Sequence, residues 1–175
     1  MGINRLNHAV LYVRDADRSA RFYEEVLGFS RVSMGGQAIP GAVFLQAPGS
    51  TNDHDLGLFS VGAESAASSA GRGAVGMYHL AWEVDTLDDL DRLATKLSEH
   101  GALVGASDHS TTKSLYARDP DGLEFEVAWV VPADQLDEAT LAGRATIRPL
   151  DLEAAKARYG ARTPGGIGIS RTAPA

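Results

Sequence analysis

The stretch SLYARDPDGLEFEVAWV, residues 114–130, reads as a strand, a tight turn at DPDG and a second strand. Side chains of a strand alternate between its two faces. Glu124 and Glu126 therefore point one way, and Phe125, Val127 and Trp129 point the other. A strand this apolar that aims two acids at one side needs something on that side to receive them.

The same logic extends in both directions along the chain. LNHAVLYV, Leu6 to Val13, is a strand rich in β-branched and aromatic residues. RDADRSARFYEEVLGF follows as a helix, with Asp15 or Asp17 as its N-cap and Gly28 as its stop. Ala20, Phe22, Tyr23, Val26 and Leu27 form its apolar stripe. Three short strands are expected at 29–33, 42–47 and 54–61, separated by Gly, Pro and Asn. Residues 62–75, small and polar, read as a linker.

The pattern then recurs. MYHLAWEV is a strand, and TLDDLDRLATKLSEHG is a helix with a Thr cap and a Gly stop. Strands are expected at 103–106, 114–118 and 123–130. His8 and His79 occupy equivalent places, each five residues before a valine. The chain is thus an α+β protein of two βαβββ modules, 4–61 and 76–130. A module that cannot bury its own sheet face packs against its copy. The expected architecture is one domain, 1–130, a half-open mixed β-barrel with helices outside and a cleft inside. Residues 131–175 form a C-terminal extension: a short helix in LDLEAAKARYG, then an extended tail or an arm on a partner subunit.

Composition narrows the function. The 175 residues are 44% hydrophobic and 22% charged, ordinary for a globular chain. A net charge of −7 argues against a nucleic-acid or anionic-membrane surface. No apolar run is long enough to span a bilayer, and the N-terminus lacks the pattern of a secretory signal. Cysteine is absent, so any metal is held by nitrogen and oxygen. These features fit the cytoplasm.

Parity assigns the faces. His8, Val10 and Tyr12 look into the cleft, as do His79, Ala81 and Glu83 on the equivalent strand. Glu124, Glu126 and Ala128 join them, while Leu80, Trp82, Phe125, Val127 and Trp129 pack outward. Two imidazoles and one or both carboxylates then converge, the donor set of a non-haem Fe(II) facial triad.

This organisation resembles the vicinal oxygen chelate superfamily, which includes glyoxalase I, bleomycin-resistance proteins and extradiol ring-cleaving dioxygenases. The resemblance covers about residues 4–130 and is strongest in DHSTTKSLYARDPDGLEFEV. There His109, Leu115, Tyr116, Asp119, Pro120, Gly122 and Glu126 match the spacing of the extradiol signature. The match implies metal ligands His8, His79 and Glu126, holding Fe(II), with Mn(II) as the alternative ion. It implies that His54, at the start of HDLGLF, is an acid–base residue. His109 and Tyr116 are expected to hydrogen-bond to a substrate oxygen, with Val10, Phe44, Leu56 and Leu58 as pocket walls.

The implied partners are a small aromatic diol and dioxygen, in a homo-oligomer, most simply a homodimer. Glyoxalase I adds a second glutamate from its first module. The repeat offset puts that position near residue 55, where this chain has Asp55 and no glutamate. A three-ligand site favours a dioxygenase over a glyoxalase-type lyase or isomerase using Ni or Zn. A metal-free, drug-sequestering protein of the same fold is the remaining alternative, and the His/His/Glu set counts against it.

Overall fold

The computed structural model describes residues 2–3, 5–36, 38–71 and 73–166. It is an α+β protein with two sheets and divides into two compact units. Unit 1 comprises 1–68 together with the turn 119–122, and unit 2 comprises 69–118 and 123–175.

Unit 1 begins with β1 (Ala9–Val13), α1 (Ala16–Leu27) and β2 (Ser30–Val32), followed by β3 (Ala42–Gln46) and β4 (Leu56–Ser60). The sheet order is β1-β4-β3-β2, with β1 parallel to β4 and the other pairs antiparallel. Of the two expected caps, Asp15 starts α1: its carboxylate accepts the Arg18 N–H at 3.0 Å. Gly28 ends the helix in the left-handed region, at φ 76°. Ala16, Ala20, Tyr23 and Val26, at helical spacing, bury one face of α1. Leu45, Leu56 and Leu58 are fully buried in the same unit.

The DPDG turn belongs to unit 1. Asp121 accepts both the Arg14 backbone N–H and its Nη1, each at 2.8 Å, with the carboxylate almost fully buried. Asp119 closes the turn by accepting the Asp121 N–H at 2.9 Å, and Gly122 takes φ 82°. Charge-assisted, two-point contacts of this kind fix geometry as well as energy.

Unit 2 holds β5 (His79–Glu83), α2 (Leu87–Glu99), β6 (Leu103–Asp108), β7 (Thr112–Arg118) and β8 (Glu124–Val130). Its order is β5-β8-β7-β6-β9, where β9 is the two-residue strand Arg148–Pro149. The expected Thr cap of α2 is Thr86, which accepts the Asp89 N–H at 3.1 Å. The helix ends on His100 rather than on glycine; Gly101 follows at φ 63°. Phe125, Val127 and Trp129 are buried, as parity requires.

The extension is part of unit 2. Beyond β8 come α3 (Glu138–Ala142), β9 and α4 (Leu152–Tyr159). Lys156 of α4 pairs with Asp91 of α2 at 2.5 Å, and the Tyr159 ring packs against Trp129, tilted, at 5.5 Å between ring centroids. Gly165 and Gly166 donate backbone hydrogen bonds to Asp85 and Val130. Residues 160–166, expected as a tail or partner arm, therefore fold back on their own unit; 167–175 lie outside the described residues.

Candidate functional site

Sheet register sets the face of unit 2. β5 and β8 run parallel with His79 opposite Glu124 and Ala81 opposite Glu126. β7 and β8 run antiparallel with Tyr116 opposite Glu126 and Arg118 opposite Glu124. Residues directly opposite one another share a face, so His79, Glu124, Glu126, Tyr116 and Arg118 stand on the same one. The two acids have different partners there. Glu126 Oε2 lies 3.1 Å from His79 Nε2, while Glu124 Oε2 lies 3.7 Å from Arg118 Nη2. Glu124 thus has the Arg118 guanidinium near it, and Glu126 is the acid beside the imidazole. The His79 Nδ1 atom is buried without a hydrogen-bond partner. Tyr78, 64% exposed, packs its ring 4.6 Å from that of His79.

The same face carries a second pair. His109 sits in the loop between β6 and β7, and its Nε2 is 2.9 Å from the Tyr116 hydroxyl. The Tyr116 ring lies 5.8 Å from His79. Burial raises the Tyr116 phenol above its ordinary value, and the nearby Glu126 charge raises it further. Tyr116 is therefore a neutral hydrogen-bonding group near neutral pH.

In unit 1, His8 precedes β1 instead of lying within it, and is exposed. Its ring stands 4.5 Å from that of His54, which is buried just before β4 and meets Phe44 edge-on at 5.2 Å. The His54 backbone N–H donates to Asp53 Oδ1 at 3.0 Å, and Nδ1 lies 3.2 Å from Asp53 Oδ2. Val10, Gly57 and Phe44 form a row across β1, β4 and β3. A Cβ on Gly57 would come within 3.4 Å of both Val10 and Phe44.

Leu56 and Leu58, expected as pocket walls, are instead fully buried core residues on the opposite face from Gly57. His54 lies before the strand, so its parity does not carry over to them. Asp55 also has structural work. Its carboxylate accepts the Ala47 N–H at 2.8 Å, Ser50 Oγ at 2.7 Å and Asn52 Nδ2 at 2.7 Å. Those bonds tie down the loop before β4.

His79 and Glu126 fit a divalent ion as a ligand pair. Donors about 2.1 Å from one ion commonly stand about 3 Å apart, as these two do at 3.1 Å. Their nitrogen and oxygen atoms suit Fe, Mn, Zn or Ni. Among the described residues, no three His, Asp or Glu side chains gather closely enough to hold a metal. The structure thus pairs His79 with Glu126, His109 with Tyr116, and His8 with His54. Reading the sequence missed Asp108 and Lys113, which anchor the His109 loop; an Asp two residues before a Ser, the mark of a side-chain-capped turn, was the available signal.

Among the described residues, no helix is long and apolar enough to cross a membrane. Residues 5–127 match the Glyoxalase/Bleomycin resistance protein/Dioxygenase superfamily. A Catechol-2,3-dioxygenase of Bacillus subtilis is 29% identical over 122 residues, which are 70% of this chain and 40% of that protein. The match therefore spans less than half of the relative's length. A glyoxylase/bleomycin resistance protein/dioxygenase domain from Frankia superposes with a TM-score of 0.58 at 24% identity, covering 73% of this chain and 92% of that one. A lactoylglutathione lyase from Agrobacterium tumefaciens does so with a TM-score of 0.52 at 24% identity, over 73% of this chain and 95% of that one. At such identities the two structures speak to the fold alone, but the match over 5–127 covers most of the chain. The protein belongs to the Glyoxalase/Bleomycin resistance protein/Dioxygenase superfamily.

Proposed function

We propose that this protein is an Fe(II)-dependent extradiol dioxygenase that opens a small catecholic ring beside its diol. The observation that carries the reading is the pairing, on one sheet face, of His79 with Glu126 and of His109 with Tyr116. The likeness to the Bacillus subtilis Catechol-2,3-dioxygenase supports it. In this reading His79 and Glu126, already paired at 3.1 Å, would hold the metal, and His8 would complete the set only when the ion binds, with Mn(II) as the alternative ion. Bound there, the dication supplies acidification of the diol and a route for electrons from ring to dioxygen.

The protein groups have separate tasks. His54 takes a proton from the diol and returns it later, since a ring nitrogen can both accept and donate one. Tyr116, kept neutral by burial and by Glu126, offers its hydroxyl to a substrate oxygen. His109, hydrogen-bonded to that hydroxyl, fixes its direction. Val10 and Phe44 offer apolar surface to the ring. Both atoms of dioxygen enter the product as one carbon–carbon bond breaks, so no outside reductant is consumed.

Anaerobic loading with Fe(II), followed by catechol and air, tests the reading. The expected result is a yellow ring-opened product and oxygen uptake equal to product formed. A loaded protein that consumes no oxygen with a panel of catechols, yet isomerises a hemithioacetal with Ni(II) or Zn(II), would replace the dioxygenase with a glyoxalase-type enzyme.

A further inference from the structure

Ser110, beside His109, is the sole described non-glycine residue with positive φ, at 68°. Such a conformation costs an ordinary residue free energy and persists where its surroundings over-determine it. Here the surroundings are polar and buried. Asp108 Oδ1 accepts the Ser110 N–H at 2.6 Å and the Lys113 ammonium, also at 2.6 Å. Lys113 Nζ donates in addition to the Ser110 carbonyl at 2.9 Å. One ammonium thus grips the loop on both sides of the strained residue, and Lys113 is only 2% exposed.

A lysine is almost never buried so deeply unless it is paired. Burial pushes its pKa down, and the Asp108 hydrogen bond opposes that shift. The wall behind it comes from the C-terminal extension, beyond the residues matched by the superfamily. The Tyr159 ring lies 5.3 Å from Nζ, a cation–π distance. β9 pairs with β6 at Asp108 and Arg148. Gly143 approaches Ser110 so closely that a Cβ there would come within 2.6 Å of Ser110 Oγ. The Thr111 carbonyl accepts the Val131 N–H at 3.0 Å.

We infer that Lys113 is a positioning residue for His109: by clamping Asp108 and Ser110 against the extension, it holds the imidazole on the Tyr116 hydroxyl. This inference rests on the reading of His109 and Tyr116 as site residues.

The test reads the coupling by NMR in metal-free, full-length protein. Tyr116→Phe removes the hydrogen bond to His109 Nε2, so the His109 Nε2 nitrogen shift moves. In a Lys113→Met background the same Tyr116→Phe change is expected to leave that nitrogen unmoved. An equal shift in both backgrounds would overturn the inference. Asp108→Asn, which removes the charge that holds Lys113, provides the same comparison if Lys113→Met does not fold. With iron and catechol, Lys113→Met is expected to lower kcat by roughly ten- to a hundredfold, with KM and iron content unchanged. A wild type without ring cleavage would remove the dioxygenase reading alone, because the nitrogen shift is read without metal or substrate.

Discussion

Glu126 presents its Oε2 3.1 Å from His79 Nε2, across two parallel strands in which Ala81, not His79, is its direct neighbour. The diagonal offset matters. It lets a long carboxylate side chain reach along the sheet to the imidazole while Glu124, directly opposite His79, turns to Arg118. Two acids on one strand thereby acquire different roles.

Tyr116 is expected to act through its hydroxyl. Tyr116→Phe keeps the ring contact with His79 and removes the hydrogen bond to His109. Ring cleavage should slow by at least about tenfold with iron content unchanged. Steady-state oxygen uptake checks this, and an unaltered rate would reduce Tyr116 to a packed strand aromatic.

His54 is expected to move a proton without binding metal. His54→Ala should keep stoichiometric iron and lose about a hundredfold or more in turnover. Elemental analysis and oxygen uptake on the same sample decide it. Loss of iron would make His54 a ligand, and full activity would remove it from the chemistry.

Asp108 links the His109 loop to acid stability. Burial raises its pKa, but the Lys113 and Ser110 hydrogen bonds outweigh that and hold it below its ordinary 3.8. A group whose pKa is lower folded than unfolded binds more protons unfolded. Its contribution is present above 3.8 and is lost as pH falls through the folded value. Urea midpoints measured from pH 5 downward should therefore fall more steeply for wild type than for Asp108→Asn. Parallel slopes would show that the pair adds nothing to acid sensitivity.

The extension should prove integral to unit 2. Tyr159 is 6% exposed, packs tilted against Trp129 and carries Arg158 4.8 Å over its ring. Tyr159→Ala should cost about 3 kcal/mol, as for other buried aromatic truncations. Urea unfolding would show it as a lower midpoint with an unchanged slope.

Much of this was legible in the sequence. Caps and apolar stripes gave α1 and α2 nearly to the residue, because Asp15, Gly28 and Thr86 act within their own turns. Parity separated Phe125, Val127 and Trp129 from the acids for the same local reason. What escaped depends on distant partners. β1 begins at Ala9 and not at Leu6 because β4, its partner, begins at Leu56. β9 is two residues long and exists only through pairing with β6. No periodicity could have shown that Asp55 serves a loop or that Lys113 lies under Tyr159, since both facts are set by tertiary packing.

The central claim is that His8, His79 and Glu126 bind one metal ion. Iron per chain, measured after anaerobic Fe(II) loading and desalting, tests it most directly. The account predicts one iron per wild-type chain and none in His8→Ala, His79→Ala or Glu126→Ala, each still folded by circular dichroism. Full iron retained in those variants, or no iron in wild type, would contradict it.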